Sequence, residues 1–193
     1  MKNVILIALA LFTFTNALTA QSMSKKYRTF TVSRELPFSA EKVWAAVAED
    51  YGNIANNHPK IISSNYAKGS LKGEKGAQRH CYFNEKGSQA LHEEITDWRP
   101  EEGVFVNRIL TANKFPVDPD NTRGTYMIKS TGPNSSTISM KMDFRTRPAF
   151  MGFMAQNKFK KLLQDYFIAV EHNIATGESV TAANFKDVKK MYN

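Results

Sequence analysis

Cysteine is almost absent from the sequence, because Cys81 is the single cysteine among 193 residues. One thiol excludes an internal disulfide framework and any metal site that needs several thiolates. The four histidines do not show the spacing of metal ligands, and no Gly-x-Ser-x-Gly motif, phosphate loop or dinucleotide-binding motif is present. The sequence therefore predicts a protein that uses neither a metal nor a cofactor.

Proline and glycine are also scarce, at seven and ten residues, so the chain is neither low-complexity nor collagen-like. Hydrophobic residues make up 42% and charged residues 23%, which is the balance of a soluble globular protein. The length suits one domain and is short for two. Thirteen phenylalanines and seven tyrosines exceed what a small core requires. This excess favours an interior space that is lined by aromatic side chains.

The first 20 residues have the pattern of a secretory signal peptide. Lys2 supplies a positive charge, and an apolar run of 11 residues, Val4–Phe14, follows it. A run of this length suits a signal peptide and is too short to span a bilayer as a helix. We expect cleavage after Ala20, with cleavage after Ser22 or an uncleaved anchor as the alternatives. Residues 1–20 are therefore predicted to direct the chain to the periplasm or the outside of the cell.

Positive charge predominates, with a formal net charge of +8, of which Lys2 contributes one unit. A basic surface attracts anionic membranes, polysaccharides or nucleic acid. Nucleic acid does not fit an exported protein that lacks a nucleic-acid-binding motif, so no nucleic-acid partner is expected. The basic residues are scattered along the chain, as solvated surface residues are. An anionic membrane surface stays a candidate partner, and the number of subunits stays open.

Residues 27–175 alternate between patterns that are typical of strands and of helices. The predicted strands are Tyr27–Leu36, Ile61–Gly69, Ala77–Asn84, Gln89–Trp98, Val104–Ala112, Gly124–Thr131 and Ser136–Arg145. The predicted helices are Ala40–Asp50 after the N-cap Ser39, then Tyr51–Asn56, and finally the long Ala149–Ala175. No repeat or linker divides this pattern. We expect one domain over residues 27–177 and a tail, residues 178–193, that can form a short amphipathic helix.

A three-residue hairpin loop, Glu85–Gly87, sets the register of the two strands around it. Counting back from this loop places Arg79 opposite Glu93 and Cys81 opposite Leu91. These residues share a face with apolar side chains, so this face is expected to point to the interior. An Arg–Glu pair in an apolar cavity can bind a carboxylate, phenol or carbonyl, because desolvation strengthens its hydrogen bonds. The alternative is a structural ion pair that closes the sheet.

The other candidate ligand-binding residues are mostly apolar. The proline-containing loop Asn113–Arg123 could close over a cavity, with Phe115 as its apolar contact. Flexible methionines near the last strand and the long helix could fit varied ligands, although such residues more often belong to the hydrophobic core. Cys81 is expected to be a buried, unreactive thiol, since no histidine lies beside it. The predicted ligand-binding residues are Arg79, Cys81, Phe83, Leu91, Glu93, Phe115, Met140, Met142, Met154 and Phe159.

Four short motifs accompany this order of elements: Ser39–Trp44, the Gly-x-x-Gly-x-x-Arg pattern of Gly73–Arg79, the Leu-x-Glu-x-Ile pattern of Leu91–Ile95, and Phe144–Pro148. Motifs and order together resemble the START-like helix-grip superfamily, also called SRPBCC, over about residues 27–175. The most similar subgroup is the bacterial polyketide cyclase/dehydrase and lipid-transport-like proteins. The resemblance implies an α+β fold in which a curved antiparallel sheet of about seven strands wraps round a long C-terminal helix. It also implies that Glu93 points inward.

Three functions fit these observations. The first is an exported carrier that holds a hydrophobic small molecule, such as a lipid, polyketide or isoprenoid, between the sheet and the long helix. The second is a cyclase or dehydratase in which Glu93 acts as acid or base, Arg79 stabilises an enolate and Tyr126 donates a proton. The carrier is favoured over the enzyme, because Arg79 would hold Glu93 in its charged form. The third is an envelope interaction module that works through its surface without a ligand.

Cleavage after Ala20 predicts that the protein exported by its own host begins at Gln21. Intact mass spectrometry of the exported protein measures this directly, because each alternative has its own mass. A mass corresponding to residues 23–193 would move the cleavage site to Ser22. The mass of the whole chain would contradict the interpretation of residues 1–20 as a cleaved signal peptide.

Overall fold

Seven antiparallel strands form a single curved sheet in the computed structural model, which describes residues 27–192. The strands are β1 (Arg28–Leu36), β2 (Ser63–Tyr66), β3 (Gln78–Tyr82), β4 (Ala90–Arg99), β5 (Val104–Asn113), β6 (Arg123–Gly132) and β7 (Ser135–Phe144). Their order across the sheet is β1-β7-β6-β5-β4-β3-β2, so β1 and β7 are the one pair not consecutive in the chain. The predicted signal peptide lies outside the described residues.

Strand β4 is irregular in the middle of the sheet. Its register against β5 shifts between His92 and Glu93, and it shifts again between Ile95 and Asp97. Such bulges bend a strand and increase its twist. The irregularities therefore help the sheet to curl, and one of them lies next to the residue that the sequence singles out as a site candidate.

The chain between β1 and β2 is helical in three short pieces. Ser39 precedes α1 (Ala40–Trp44), and its side-chain oxygen accepts a hydrogen bond from the Lys42 amide at 3.4 Å. A π-helical turn, Ala45–Glu49, continues α1. A 3-10 helix over Tyr51–Asn56 follows, at the position where the sequence predicts a second short helix.

The predicted uninterrupted helix Ala40–Asp50 is wrong in its second half, where the chain adopts the π-helical turn. In such a turn the hydrogen bond spans five residues instead of four, which rotates the following side chains about the axis. Val47 and Ala48 are buried there, as are Val43 and Trp44 in α1. Burial of both apolar pairs against the sheet therefore takes precedence over regular α-helical spacing.

Helix α2 (Gly152–Thr176) packs against the concave face of the sheet. Its residues Leu163, Tyr166 and Val170 are buried in the main hydrophobic core together with side chains of the sheet. The predicted α+β helix-grip class is confirmed. A 3-10 turn, Ala149–Met151, precedes α2, so the regular α-helix begins later than the sequence pattern predicts.

Met154 does not lie where the helical spacing predicts. We expect it on the same buried face as Phe159 and Leu163, but its side chain is 69% exposed. The sheet does not cover this side of the first turn of α2. Helical periodicity shows which residues share a face, whereas it does not show where the neighbouring sheet ends.

The C-terminal residues form α3 (Phe185–Met191), which packs on the back of α2. A second hydrophobic cluster joins Ile168 and Ala169 of α2 to Val180 and Val188 of the tail. The tail therefore buries the face of α2 that points away from the sheet, and both faces of the helix are covered in its C-terminal half.

Gly103 and Gly177 both have a left-handed backbone, with φ of +64° and +76°. A Cβ at Gly103 would lie 2.1 Å from the carbonyl oxygen of Ile128, whereas a Cβ at Gly177 would meet open space. We expect Gly177→Ala to lower the free energy of unfolding by about 1–2 kcal/mol through backbone strain. Gly103→Ala should lower it by more, because β6 must shift. Urea unfolding measures both, and equal losses would contradict the proposed clash.

Candidate ligand-binding site

Arg79 and Glu93 form a buried ion pair on adjacent strands. They are direct partners in the register of β3 and β4, as counting from the hairpin loop predicts. Arg79 Nε donates a hydrogen bond to Glu93 Oε2 at 2.8 Å. Burial by itself would lower the pKa of Arg79, but the Glu93 carboxylate offsets this and holds that pKa well above its usual value. Arg79 is therefore positively charged, and its charge is balanced inside the protein.

Three neighbouring groups hold this pair in place. Asn107 Nδ2 donates to Glu93 Oε1 at 3.0 Å, and the Cys81 thiol donates to Glu93 Oε2 at 3.7 Å. Arg79 Nη1 donates to the Tyr51 carbonyl oxygen at 2.9 Å, and its guanidinium carbon lies 3.9 Å from the centroid of the Tyr51 ring. Both carboxylate oxygens therefore have donors, and the pair links the 3-10 helix to the sheet.

A cavity of about 130 Å³ lies between the sheet and α2, and Arg79 and Glu93 form part of its wall. Tyr126, the proton donor of the enzyme hypothesis, also faces it. Met154, which is exposed, does not line it. The other predicted ligand-binding residues do: Arg79, Cys81, Phe83, Leu91, Glu93, Phe115, Met140, Met142 and Phe159.

Sequence analysis does not identify His58, Tyr166 or Asn107 as site residues. His58 and Tyr166 line the cavity, and Asn107 holds Glu93 in place. One signal was available for Asn107, because alternation along β5 puts it on the same inward face as Phe105 and Ile109. A polar side chain between two buried apolar ones usually has a hydrogen-bond partner. His58 gives no such local signal.

His58 is held in its neutral form. Burial, and after it the positive charge of Arg79, lowers the pKa of His58 to about 3. Its Nδ1 accepts a hydrogen bond from the Lys60 amide at 3.1 Å, so the ring proton lies on Nε2. The ring packs against Tyr166 with 5.2 Å between centroids. His58 therefore contributes an uncharged N–H donor to the wall of the cavity.

Burial also keeps the hydroxyl and thiol groups of the cavity protonated. It raises the pKa of Tyr126 to about 12 and that of Tyr166 well above its usual value. It raises the pKa of Cys81 to about 12 as well, which agrees with the expected unreactive thiol. At neutral pH the cavity therefore offers hydroxyl donors and no thiolate nucleophile.

The size of the cavity limits what it can hold in this form. An engineered apolar cavity of about 150 Å³ in another protein binds benzene, whereas sites for drug-sized ligands measure about 300–1,000 Å³. The cavity therefore suits a molecule of about one ring. Two larger clefts, of about 510 and 500 Å³, lie on the outer surface, where charged side chains form much of their walls.

His80 and His92 lie on the opposite face of the sheet, as their predicted register requires. They are direct partners, and their rings stack with 4.3 Å between centroids. His92 Nε2 shares a hydrogen bond with Gln78 Oε1 at 3.1 Å. Within residues 27–192, no group of three or more histidine, cysteine or acidic side chains is placed to hold a metal ion. These two histidines therefore do not contribute to the cavity.

The sequence profile of the family described as polyketide cyclase / dehydrase and lipid transport matches residues 27–168. The match covers well over half of the chain, so the chain belongs to this family, within the SRPBCC helix-grip superfamily. The resemblance noted from the four sequence motifs is thereby confirmed. No curated protein matches the chain.

Several solved structures share the fold at low sequence identity. XoxI from Bacillus cereus is 23% identical with a TM-score of 0.60, over 77% of this chain and 96% of that one. Ara h 8.0201 is 16% identical with a TM-score of 0.62, over 78% and 99%. The Zhui aromatase/cyclase from Streptomyces sp. R1128 is 14% identical with a TM-score of 0.59, over 86% and 96%. These likenesses show the fold alone.

Removal of the Glu93 charge should destabilise the protein strongly. Glu93→Gln leaves the Arg79 guanidinium buried without a counter-charge, and we expect the free energy of unfolding to fall by about 3–5 kcal/mol. The matched control is Glu94→Gln on the outer face of β4, where Arg108 is exposed and the expected loss is about 0–1 kcal/mol. Urea unfolding measures both, and equal losses would show that the buried pair is not a main support.

His58 should make the stability depend on pH. Between its usual pKa of 6.5 and its folded pKa of about 3, the unfolded chain binds a proton that the folded chain does not. The contribution of neutral His58 to the free energy of unfolding is therefore fully present above pH 6.5, and it is lost as the pH falls below that value. His58→Asn keeps an acceptor for the Lys60 amide without titrating there. We expect its free energy of unfolding, measured from pH 7.5 to 4, to decrease less steeply than that of the wild type, and parallel curves would contradict this assignment.

Proposed function

We propose that this chain is an exported binding protein that holds an uncharged, largely apolar small molecule in the cavity between the sheet and α2. One observation carries the proposal. Arg79, whose charge Glu93 already balances, lies in the wall of a buried cavity together with neutral donors and mainly apolar side chains. The family and the related fold support ligand binding in general. Export is proposed from the signal-peptide pattern.

The charge balance of the cavity favours a neutral ligand over an anionic one. A carboxylate would add an unbalanced negative charge to a buried site, because Glu93 already neutralises Arg79, and such burial is unfavourable. A carbonyl or phenol oxygen needs hydrogen-bond donors alone. Arg79 has five N–H groups, and its hydrogen bonds within residues 27–192 use two of them. We therefore narrow the three expected recognition groups to the carbonyl and the phenol.

The apolar part of the cavity wall determines the chemical character of the remainder of the ligand. Phe83 and Phe115 lie 4.7 Å apart between ring centroids, and Met140, Met142 and Phe159 add further apolar surface to the wall. Flexible thioethers adapt to varied shapes, which suits an apolar ring or short chain. We propose a ligand with one oxygen acceptor at the polar wall and an apolar body of about one ring.

A lipid, polyketide or isoprenoid, the ligand classes expected from the sequence, is larger than this cavity. The loop between β5 and β6 contributes Phe115 and Val117 to its wall, and Val117 forms an isolated bridge with Thr146 after β7. Movement of this loop would have to break the hydrogen bonds from the Asp118 amide to the Arg145 carbonyl and from the Arg147 amide to the Pro116 carbonyl, together with the Arg147–Asp118 ion pair. Displacement of the loop is the route by which a larger ligand of these classes would enter.

The cyclase or dehydratase alternative has less support from the site. Glu93 accepts hydrogen bonds from Arg79, Asn107 and Cys81, so both of its carboxylate oxygens are already engaged by groups of the protein. His58 is a weak base, because its pKa is lowered to about 3. His58 is therefore not prepared to take a proton near neutral pH, and a substrate would have to compete with Arg79, Asn107 and Cys81 for the oxygens of Glu93.

Three single-ring probes test the proposal: acetophenone as a neutral carbonyl, para-cresol as a phenol and benzoate as a carboxylate. We expect the two neutral probes to bind and benzoate to bind more weakly at pH 7, as measured by ligand-observed NMR. Tyr126→Phe should weaken acetophenone binding by roughly fivefold through the loss of one hydrogen bond. The matched control, Tyr82→Phe, changes a tyrosine that does not line the cavity and should leave the affinity unchanged.

Native mass spectrometry of the protein exported by its own host, followed by organic extraction, looks for the natural ligand. An additional mass that solvent releases would support a carrier and give the composition of its ligand. Benzoate binding as tightly as acetophenone would contradict the neutral-ligand assignment. Failure of all three probes, together with an unoccupied protein from the host, would contradict the cavity as a binding site.

A further inference from the structure

Three large apolar side chains are exposed together where the long helix begins. Phe150, in the turn before α2, is 78% exposed, and Phe153 and Met154, in its first turn, are 72% and 69% exposed. Residues three and four apart lie on the same side of a helical segment. Phe150, Phe153 and Met154 therefore form one surface, here called the apolar patch. Grouped exposed apolar side chains of this kind mark interaction sites.

The chain around the apolar patch is basic. Residues 145–164 contain five basic residues and no acidic one: Arg145, Arg147, Lys158, Lys160 and Lys161. Arg147 pairs with Asp118 at 2.6 Å, whereas Lys158 and Lys161 are exposed and form no ion pair within residues 27–192. The Arg28 guanidinium carbon lies 5.6 Å from the centroid of the Phe153 ring. Positive charge therefore borders the apolar patch on two sides.

We propose that the apolar patch docks this protein onto the surface of an anionic lipid bilayer. Aromatic and other large apolar side chains partition into the boundary between headgroups and acyl chains, and neighbouring lysines and arginines bind anionic headgroups. Both features occur together here, because the apolar side chains lie at the start of α2 and the basic side chains lie beside them. None of the described helices is long and apolar enough to cross a bilayer, and the proposed contact lies at the bilayer surface.

The charge pattern distinguishes a bilayer from a second copy of this chain. A symmetric dimer would bring the same surface of both molecules together. Lys158 and Lys161 of both copies would then lie close together, four exposed lysines that form no ion pair within residues 27–192, and like charges in contact oppose association. An anionic bilayer supplies both the apolar phase and the opposite charge. The bilayer is therefore the occupant that the apolar patch fits.

The apolar patch is close to the cavity along α2. Phe159, which lines the cavity, follows Phe153 by six residues, or about 9 Å along the helix axis. Docking would therefore hold this end of the cavity near the lipid phase, where apolar molecules dissolve. Docking itself does not depend on the proposed ligand, because the apolar patch and its basic border lie outside the cavity.

Vesicle flotation tests the inference with the exported protein, whose intact mass shows whether residues 1–20 remain. The vesicles are phosphatidylcholine alone, or phosphatidylcholine with about one third phosphatidylglycerol. We expect binding to the anionic vesicles, weaker binding to the neutral ones, and a decrease as salt concentration rises. No ligand is added, so failure of docking and failure of the proposed ligand binding are seen in separate experiments.

Two double variants remove the two components of the surface. Phe150→Ser with Phe153→Ser removes most of the apolar area, and Lys158→Glu with Lys161→Glu reverses two exposed charges. Each should lower the partition onto anionic vesicles by roughly tenfold or more. All four side chains are exposed or at the helix start, and thermal unfolding confirms that each variant is folded.

The matched controls lie elsewhere on the surface. Met191→Ser changes a methionine of α3 that is also 69% exposed, and Lys75→Glu with Lys186→Glu reverses two exposed charges outside the segment 145–164. Neither should change vesicle binding by more than about twofold. Equal loss in the controls and the patch variants would show general electrostatic adsorption and overturn the assignment. Absence of binding to anionic vesicles would overturn it as well, and self-association abolished by Phe153→Ser would assign the surface to a second copy instead.

Discussion

The buried ion pair between Arg79 and Glu93 is the interaction on which the interior of this protein depends. Two charges removed from water are tolerated because each balances the other and because Asn107, Cys81 and the Tyr51 carbonyl complete their hydrogen bonds. The same contacts attach the 3-10 helix to the sheet. The pair is therefore both a support of the fold and the polar part of the cavity wall, so the two interpretations weighed from the sequence do not exclude each other.

This arrangement explains the chemical character of the cavity. Within residues 27–192, Arg79 and Glu93 are the charged side chains of its wall, and they neutralise each other. The other polar groups are uncharged, because burial keeps His58 neutral and Tyr126 protonated. Such a site can orient an oxygen atom without stabilising a full charge. The family is described as polyketide cyclase / dehydrase and lipid transport, and for this chain we propose binding rather than proton transfer.

Helix α2 lies in three different environments along its length. Its first turn carries the exposed Phe153 and Met154, its middle lines the cavity through Phe159 and Tyr166, and its last turns are covered by the sheet on one face and the tail on the other. The amphipathic sequence of this one helix thus includes side chains that are exposed to solvent, side chains that line the cavity and side chains that are buried in the core. The proposed ligand site and the proposed bilayer contact are both built on this helix.

The succession of strands along the chain, the long helix and the pairing of Arg79 with Glu93 can all be predicted from the sequence. Each of these follows from local rules, namely alternation, helical spacing and the length of one hairpin loop. Three other features become visible in the folded protein alone: Met154 is exposed, His58 reaches the cavity and Asn107 holds Glu93. These facts depend on where the sheet ends, how the chain returns after Tyr51 and where β4 bulges. Contacts between residues distant in the chain set all three, and the local pattern gives no more than the inward direction of Asn107 along β5.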